Sequence, residues 1–143
     1  MKLYRLGNYF HGKKIPVVPV LANAAIRIIH NCAIYSETKI GKGTSFGYGG
    51  IAVVIHKRAL IGDDCVIGTN VTIGGRSKSV GVPVIGNNVF IATGAKILGD
   101  IKIGDNCVIG ANAVVIKDVP PNSVVAGVPA KIIRSNIDPK DFH

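Results

Sequence analysis

Residues 85–115 read IGNNVFIATGAKILGDIKIGDNCVIGANAVV, and an aliphatic residue returns at every sixth place: Ile85, Ile91, Ile97, Ile103, Ile109 and Val115. The same beat runs upstream through Ile55, Ile61, Ile67 and Ile73, and earlier still through Ile34, Ile40 and Phe46. Four places after each beat stands a small or β-branched residue, among them Ala59, Cys65, Val71, Val89, Ala95, Cys107 and Ala113. One place after the beat, glycine is the rule, as at Gly62, Gly68, Gly74, Gly86, Gly104 and Gly110.

A helix repeats its apolar residues at three and four, and a half-buried strand repeats them at two, so a sustained six is neither alone. Short strands separated by tight turns satisfy it. The aliphatic residue points inward, the small residue fills the corner, and Gly, Asn or Asp supplies turn dihedrals that other residues resist. Three such sides close one coil of a solenoid, and successive coils stack as parallel strands about 4.8 Å apart. The resulting fold class is all-β, with a helical arm of residues 1–32 before the repeat, the repeat itself over 33–134 and a tail over 135–143.

The chain has 143 residues, 48% of them hydrophobic, enough for one solenoid core. Its net charge is +9, and the segment 1–31 supplies Lys2, Arg5, Lys13, Lys14 and Arg27 without any acidic residue. That asymmetry suits an arm that caps the open top of the solenoid or lies peripherally on an anionic membrane surface. The pattern Leu3, Leu6, Tyr9, Phe10 reads as a short helix, followed by a proline turn and a second helix from about Pro19 to His30. Pro16 and Pro19 argue against a secretory leader, no stretch is long enough to cross a bilayer, and no nucleic-acid motif accompanies the charge. Three cysteines, an odd number, argue against a disulfide framework and for a reducing, cytoplasmic setting; Cys65 and Cys107 occupy the corner slot, where a thiol is inert.

Function is expected where the beat breaks. Nine residues instead of six separate Phe46 from Ile55, and they carry Gly47-Tyr48-Gly49-Gly50. Twelve residues separate Ile73 from Ile85, so the Gly, Ser-rich and basic stretch 74–84, with Arg76 and Lys78, reads as a projecting loop that replaces one side of a coil and keeps the frame. The third break is His56, an imidazole in a glycine slot. With 18 residues to a coil, the positions beneath it are Gly74, Ala92 and Gly110, a bare groove for a long, thin ligand. His11 and His30 belong to the arm, and His143 ends the chain.

The segments Val71-Thr72-Ile73-Gly74-Gly75, Gly94-Ala95-Lys96-Ile97-Leu98-Gly99, Ile109 to Val115 and Lys117-Asp118-Val119-Pro120-Pro121 through Ala126 to Lys131 resemble the hexapeptide-repeat acyltransferases, most of all their serine acetyltransferase and sugar O-acetyltransferase branch. The resemblance covers roughly residues 33–134 and implies a left-handed parallel β-helix, since handedness is not written in the period. It further implies a homotrimer with acetyl-CoA as acyl donor in the cleft between neighbouring solenoids, and a histidine that activates the acceptor hydroxyl. On that likeness His56 is the catalytic base with Tyr48 assisting. A backbone N–H of Gly74 or Gly75 would meet the oxyanion. Gly75, Arg76, Ala92, Gly94, Gly110 and Ala111 would line the pantetheine arm. Lys117, Lys131 and Arg134 would meet the phosphates.

Serine acetyltransferases differ from this chain at two points. Their catalytic histidine falls in the stretch matching Gly47–Gly50, where Tyr48 stands here, and their orienting aspartate falls near Ala33. Their long helical N-terminal domain has no counterpart in the arm. The expected acceptor is therefore a sugar hydroxyl of the kind modified in surface-polysaccharide biosynthesis, with serine, an amino-sugar nitrogen, an antibiotic or a non-catalytic scaffold as alternatives. A zinc-dependent β-helix enzyme would need three converging histidines and the repeat contains only His56, so no metal is expected.

Overall fold

The computed structural model describes residues 2–138 and 141–142; His143 lies outside them. Its strands form three parallel faces that wind into a solenoid. The first face stacks Lys39–Ile40, Leu60–Ile61, Val84–Ile85 and Lys102–Ile103. The second stacks Ser45–Phe46, Val66–Ile67, Phe90–Ile91, Val108–Ile109 and Ser123–Gly127. The third stacks Val54–Ile55, Thr72–Gly74, Lys96–Leu98 and Val114–Val115, extended upward by a bridge between Ala33 and Val54. Ile55, Ile67, Ile73, Ile91, Ile97 and Ile109 are fully buried, as the six-residue beat requires. The corner residues Ala59, Cys65, Val71, Val89, Ala95, Cys107 and Ala113 are equally inaccessible.

The turns explain the repeated Asn and Asp. Asp64, Asn70, Asn88, Asn106, Asn112 and Asn122 all adopt left-handed φ between 53° and 58°, the region that short polar side chains tolerate. Successive turns also bond to one another. Asn88 Nδ2 donates to Asn106 Oδ1, and Asn106 Nδ2 to Asn122 Oδ1, each at 2.9 Å. Burial raises the pKa of both corner thiols and pushes Cys32 up to about 11, so all three cysteines stay protonated near neutrality.

Two helices close the top of the solenoid, α1 over Lys2–Gly12 and α2 over Val17–His30. The second begins ahead of the expected Pro19. In the first turn an N–H has no intrahelical partner, so proline costs nothing there. Tyr4 is buried and donates its hydroxyl to Thr38 O, Arg5 Nη1 reaches Ile40 O at 2.8 Å, and Ile26 is fully buried. A Cβ on Gly7 would come within 2.3 Å of Ser36 Oγ, so α1 sits against the first turn only because that side chain is missing. One stripe of α2 therefore caps the core, while Val17, Val20, Leu21 and Ile28 remain exposed on another. At the base, Ala130–Ser135 returns antiparallel to Ser123–Gly127 and ends the stack, a hairpin that the repeat did not predict.

The loop corrects the expected frame. Ile55 pairs with Ile73, 18 residues on, but Ile73 pairs with Ile97, 24 residues on. The stretch after Gly74 thus adds six residues between the third and first faces and replaces no side. Every position below the loop is displaced by one side from where simple counting puts it.

Candidate functional site

His56 stands at the corner where the third face turns into the first. Its backbone N–H donates to Ile73 O at 2.8 Å, which fixes Gly74 directly beneath it. Gly74 pairs with Leu98. The same register leads on to Ile116, next after the Val115 that pairs with Ile97. The vertical order is therefore His56, Gly74, Leu98, Ile116, and the expected stack of Ala92 and Gly110 under His56 is overturned by the extra six residues. Carrying the Ala33–Val54 bridge two residues on sets Tyr35 in the row above His56.

This corner is open below the imidazole. Under α2, between that helix and the row of Ala33, a cavity of about 250 Å³ is lined by Asn23, Arg27, Cys32, Ala33 and Tyr35, and His56 is not part of its lining. A Cβ built on Gly74 would meet nothing within 4 Å, so the space immediately below His56 is open. Lower down, a groove of about 390 Å³ runs between the loop residues Arg76 and Lys78 and the wall formed by Leu98, Gly99 and Ile116. Arg58 Nη2 donates to Val80 O at 2.7 Å and holds the loop to the corner. At the base Lys117 and Lys131 line one cavity of about 290 Å³, while Arg134 lies beyond it, paired with Val124 in the returning strand.

His56 is half-buried, and its Nδ1 accepts the backbone N–H of Arg58 at 3.1 Å. Neutral imidazole carries one proton, so this contact places it on Nε2, which has no protein partner among the described residues. In that tautomer Nε2 donates. To accept a proton there, Nδ1 must be protonated and the Arg58 contact must open.

The remaining expected residues gather at a different corner, between the second and third faces. Ile91 pairs with Ile67 and Ile109, and Ile109 with Val125, so Gly68, Ala92, Gly110 and Ala126 form one column, headed by Gly47 over Gly68. Gly94 and Ala111 flank it in the same turns. Tyr48 is 88% exposed at its head, with φ 47° and ψ 37°, a conformation uncommon for an aromatic residue. The adjoining Gly49 faces the imidazole of His30: a Cβ there would sit 3.2 Å from His30 Nδ1. Tyr48 and His56 thus occupy opposite edges of one face, and one copy of the chain does not bring them together. Tyr35, Arg58 and Leu98 join the His56 corner without having been singled out in the sequence. Only their rows, not their residue types, could have marked them.

A triangular solenoid with a loop-flanked histidine at an open corner defines a class, and sequence comparison agrees with it. Residues 83–117 match the model of the bacterial transferase hexapeptide (six repeats), and 38–74 and 58–98 match that of the hexapeptide repeat of succinyl-transferase. The chain belongs to the hexapeptide-repeat acyltransferases. Within them it is similar to serine acetyltransferases. That of Synechococcus elongatus is 38% identical, the match covering 96% of this chain and 58% of the relative. That of Salmonella typhimurium is 35% identical, covering 93% and 49%. The solved structure of the Brucella abortus enzyme in complex with coenzyme A superposes with a TM-score of 0.87 at 33% identity, covering 94% of this chain and 54% of that one. The chain spans about half the length of the curated relatives it matches.

Proposed function

We propose that the chain transfers an acetyl group from acetyl-CoA to a hydroxyl, and that the acceptor is serine. The relatives above are serine acetyltransferases and support serine over the sugar hydroxyl toward which the sequence departures pointed. The observation that carries the reading is the vertical order at one corner: His56, the open space at Gly74, the basic loop groove, then Lys117 and Lys131. A slender thioester that ends in phosphates matches that order from the groove downward.

The acceptor oxygen adds to the thioester carbonyl, the C–S bond breaks, and an O-acetyl ester and the free thiol result. With its Arg58 contact open, His56 takes the hydroxyl proton at Nε2 and returns it to the departing sulfur. The backbone N–H of Gly75 meets the oxyanion, because the register of Gly74 with Leu98 commits the Gly74 N–H to the neighbouring strand. No acetyl-cysteine forms, because Cys65 and Cys107 are inaccessible and held as thiols.

Ala92, Gly94, Gly110, Ala111 and Tyr48 line the other corner. They can touch the same cofactor only from a neighbouring copy, which favours a homotrimer with its sites between subunits. A further reading concerns the arm: exposed Val17, Val20, Leu21 and Ile28 beside Lys13 and Lys14 suit peripheral contact with an anionic bilayer, tested by co-sedimentation with phosphatidylglycerol vesicles. No helix among the described residues is long and apolar enough to cross a membrane. Thiol release from acetyl-CoA with serine, together with mass detection of O-acetylserine, tests the activity; absence of both, in protein that is folded and trimeric, would remove it.

A further inference from the structure

Arg58 makes two contacts with two different parts of itself. Its backbone N–H donates to His56 Nδ1 at 3.1 Å, while its guanidinium Nη2 donates to Val80 O at 2.7 Å, 22 residues further on. A turn closed by Ala59 N on His56 O at 2.9 Å carries it, so the backbone stays beside the imidazole and only the side chain crosses to the loop. The loop rests on the coil below at two feet. At the first, a Cβ on Gly99 would lie 3.5 Å from Arg76 Cβ; at the second, a Cβ on Gly81 would run into the Asp100 carboxyl. Between the feet Ser77 and Lys78 are exposed, and Val80 is 84% exposed. Apart from the internal turn of Ser79 N on Arg76 O, the Arg58 contact is the one hydrogen bond on residues 75–82 among the described residues.

Lys57 and Arg58 on the turn and Arg76 and Lys78 on the loop are all exposed cations, and Asp100 is the one carboxylate in the lining of the groove that the loop borders. A single hydrogen bond to an exposed carbonyl is weak in water, and like charges gathered at its two ends oppose it. We infer that Arg58 is a positioning residue for the acyl donor: its side chain latches the loop along the groove, and a polyanionic thioester entering the groove stabilises the latched arrangement by offsetting the repulsion among these cations. The inference rests on the acetyl-transfer reading above and adds to it a residue and a moving part. Replacing the Arg58 side chain removes the latch and leaves in place the N–H that holds His56.

Trypsin reads the latch directly, because Arg76 and Lys78 are its cleavage sites and an exposed span is cut as it opens. In the intact protein, Arg58→Ala is expected to be cut after Arg76 and Lys78 at least about fivefold faster than the native chain, with the fragments identified by mass. Calorimetry should show coenzyme A bound about fivefold more weakly. With serine as acceptor, the KM for acetyl-CoA should rise in parallel while kcat stays within about twofold, since His56 keeps its contact. Arg58→Lys retains a charged donor and should restore part of both the protection and the affinity. Arg58 is exposed on its turn, so these variants keep the fold, which thermal melting checks. Cleavage at the native rate or unchanged coenzyme A affinity in Arg58→Ala would overturn the latch. So would Arg58→Lys that binds coenzyme A like the native chain but is cut like Arg58→Ala, which would assign the effect to charge alone. Cleavage and calorimetry need no acceptor, so a lack of serine turnover would count against the proposed activity and not against Arg58. Native protein that binds no coenzyme A would remove both.

Discussion

Two corners border the third face of this solenoid, and they have opposite characters. The corner under Tyr48 is a column of minimal residues, Gly47, Gly68, Ala92, Gly110 and Ala126, with nothing along it that can move a proton. The corner under Tyr35 carries His56, then the opening at Gly74, then the loop and its arginine. On the proposed reading, one is a smooth track for the cofactor and the other holds the chemistry. On that reading each is half a site, and a closed symmetric assembly that sets one copy's track against the next copy's imidazole would complete it.

The comparison breaks most visibly if the imidazole is removed. His56→Ala is expected to lower turnover about a hundredfold or more while the assembly stays folded; thiol release measures the first and sedimentation the second, and an unchanged rate would take His56 out of the reaction. The next effect belongs to the track. Ala92→Phe would fill the bare column from outside and is expected to raise the KM for acetyl-CoA about tenfold with little change in kcat. The two variants then sharpen each other. They are mixed by co-expression and assayed at acetyl-CoA well below the native KM, where sites with the blocked track are nearly silent. His56→Ala and Ala92→Phe chains should then show about a quarter of native activity, because random trimers pair an intact imidazole with an intact track in that share of their sites. No recovery would mean that both corners serve a site within one chain.

Smaller effects are expected at the ends. Lys117→Gln with Lys131→Gln should weaken acetyl-CoA about fivefold, less at high ionic strength, since screened contacts to phosphate lose their advantage there. The smallest is a null. Burial pushes Cys32 up to about 11, so at pH 8 only about a thousandth of it is thiolate, and burial raises the two corner thiols as well. Alkylating reagents should leave activity untouched until the protein unfolds. Raising the pH increases the thiolate fraction, so any labelling of folded protein should rise with pH and appear first at pH values near 11.

The candidate residues fared differently for a physical reason. His56 stood out as a candidate because an imidazole replaced a glycine in a repeat, and Lys117 and Lys131 because they lie in or beside the C-terminal motif. Ala92 and Gly110 were assigned to the wrong corner. Twelve residues from Ile73 to Ile85 fit a side replaced by a loop as well as a loop added to a complete coil, and both preserve the beat. Only the pairing of Ile73 with Ile97 separates them. The cavity that Asn23 and Arg27 line was invisible because α2 has no fixed register with the solenoid until Tyr4, Gly7, Ile26 and Ser36 pack.

The six-residue period alone determined the three-sided coil, the inward isoleucine column, the silent cysteines and the Asn and Asp turns, because each depends on residues within one turn of one another. The tertiary structure decided which corner each residue reaches, what lies above His56 and where the helical arm rests. Those depend on strand pairing across the inserted loop and on packing between distant segments, and no local pattern carries that information.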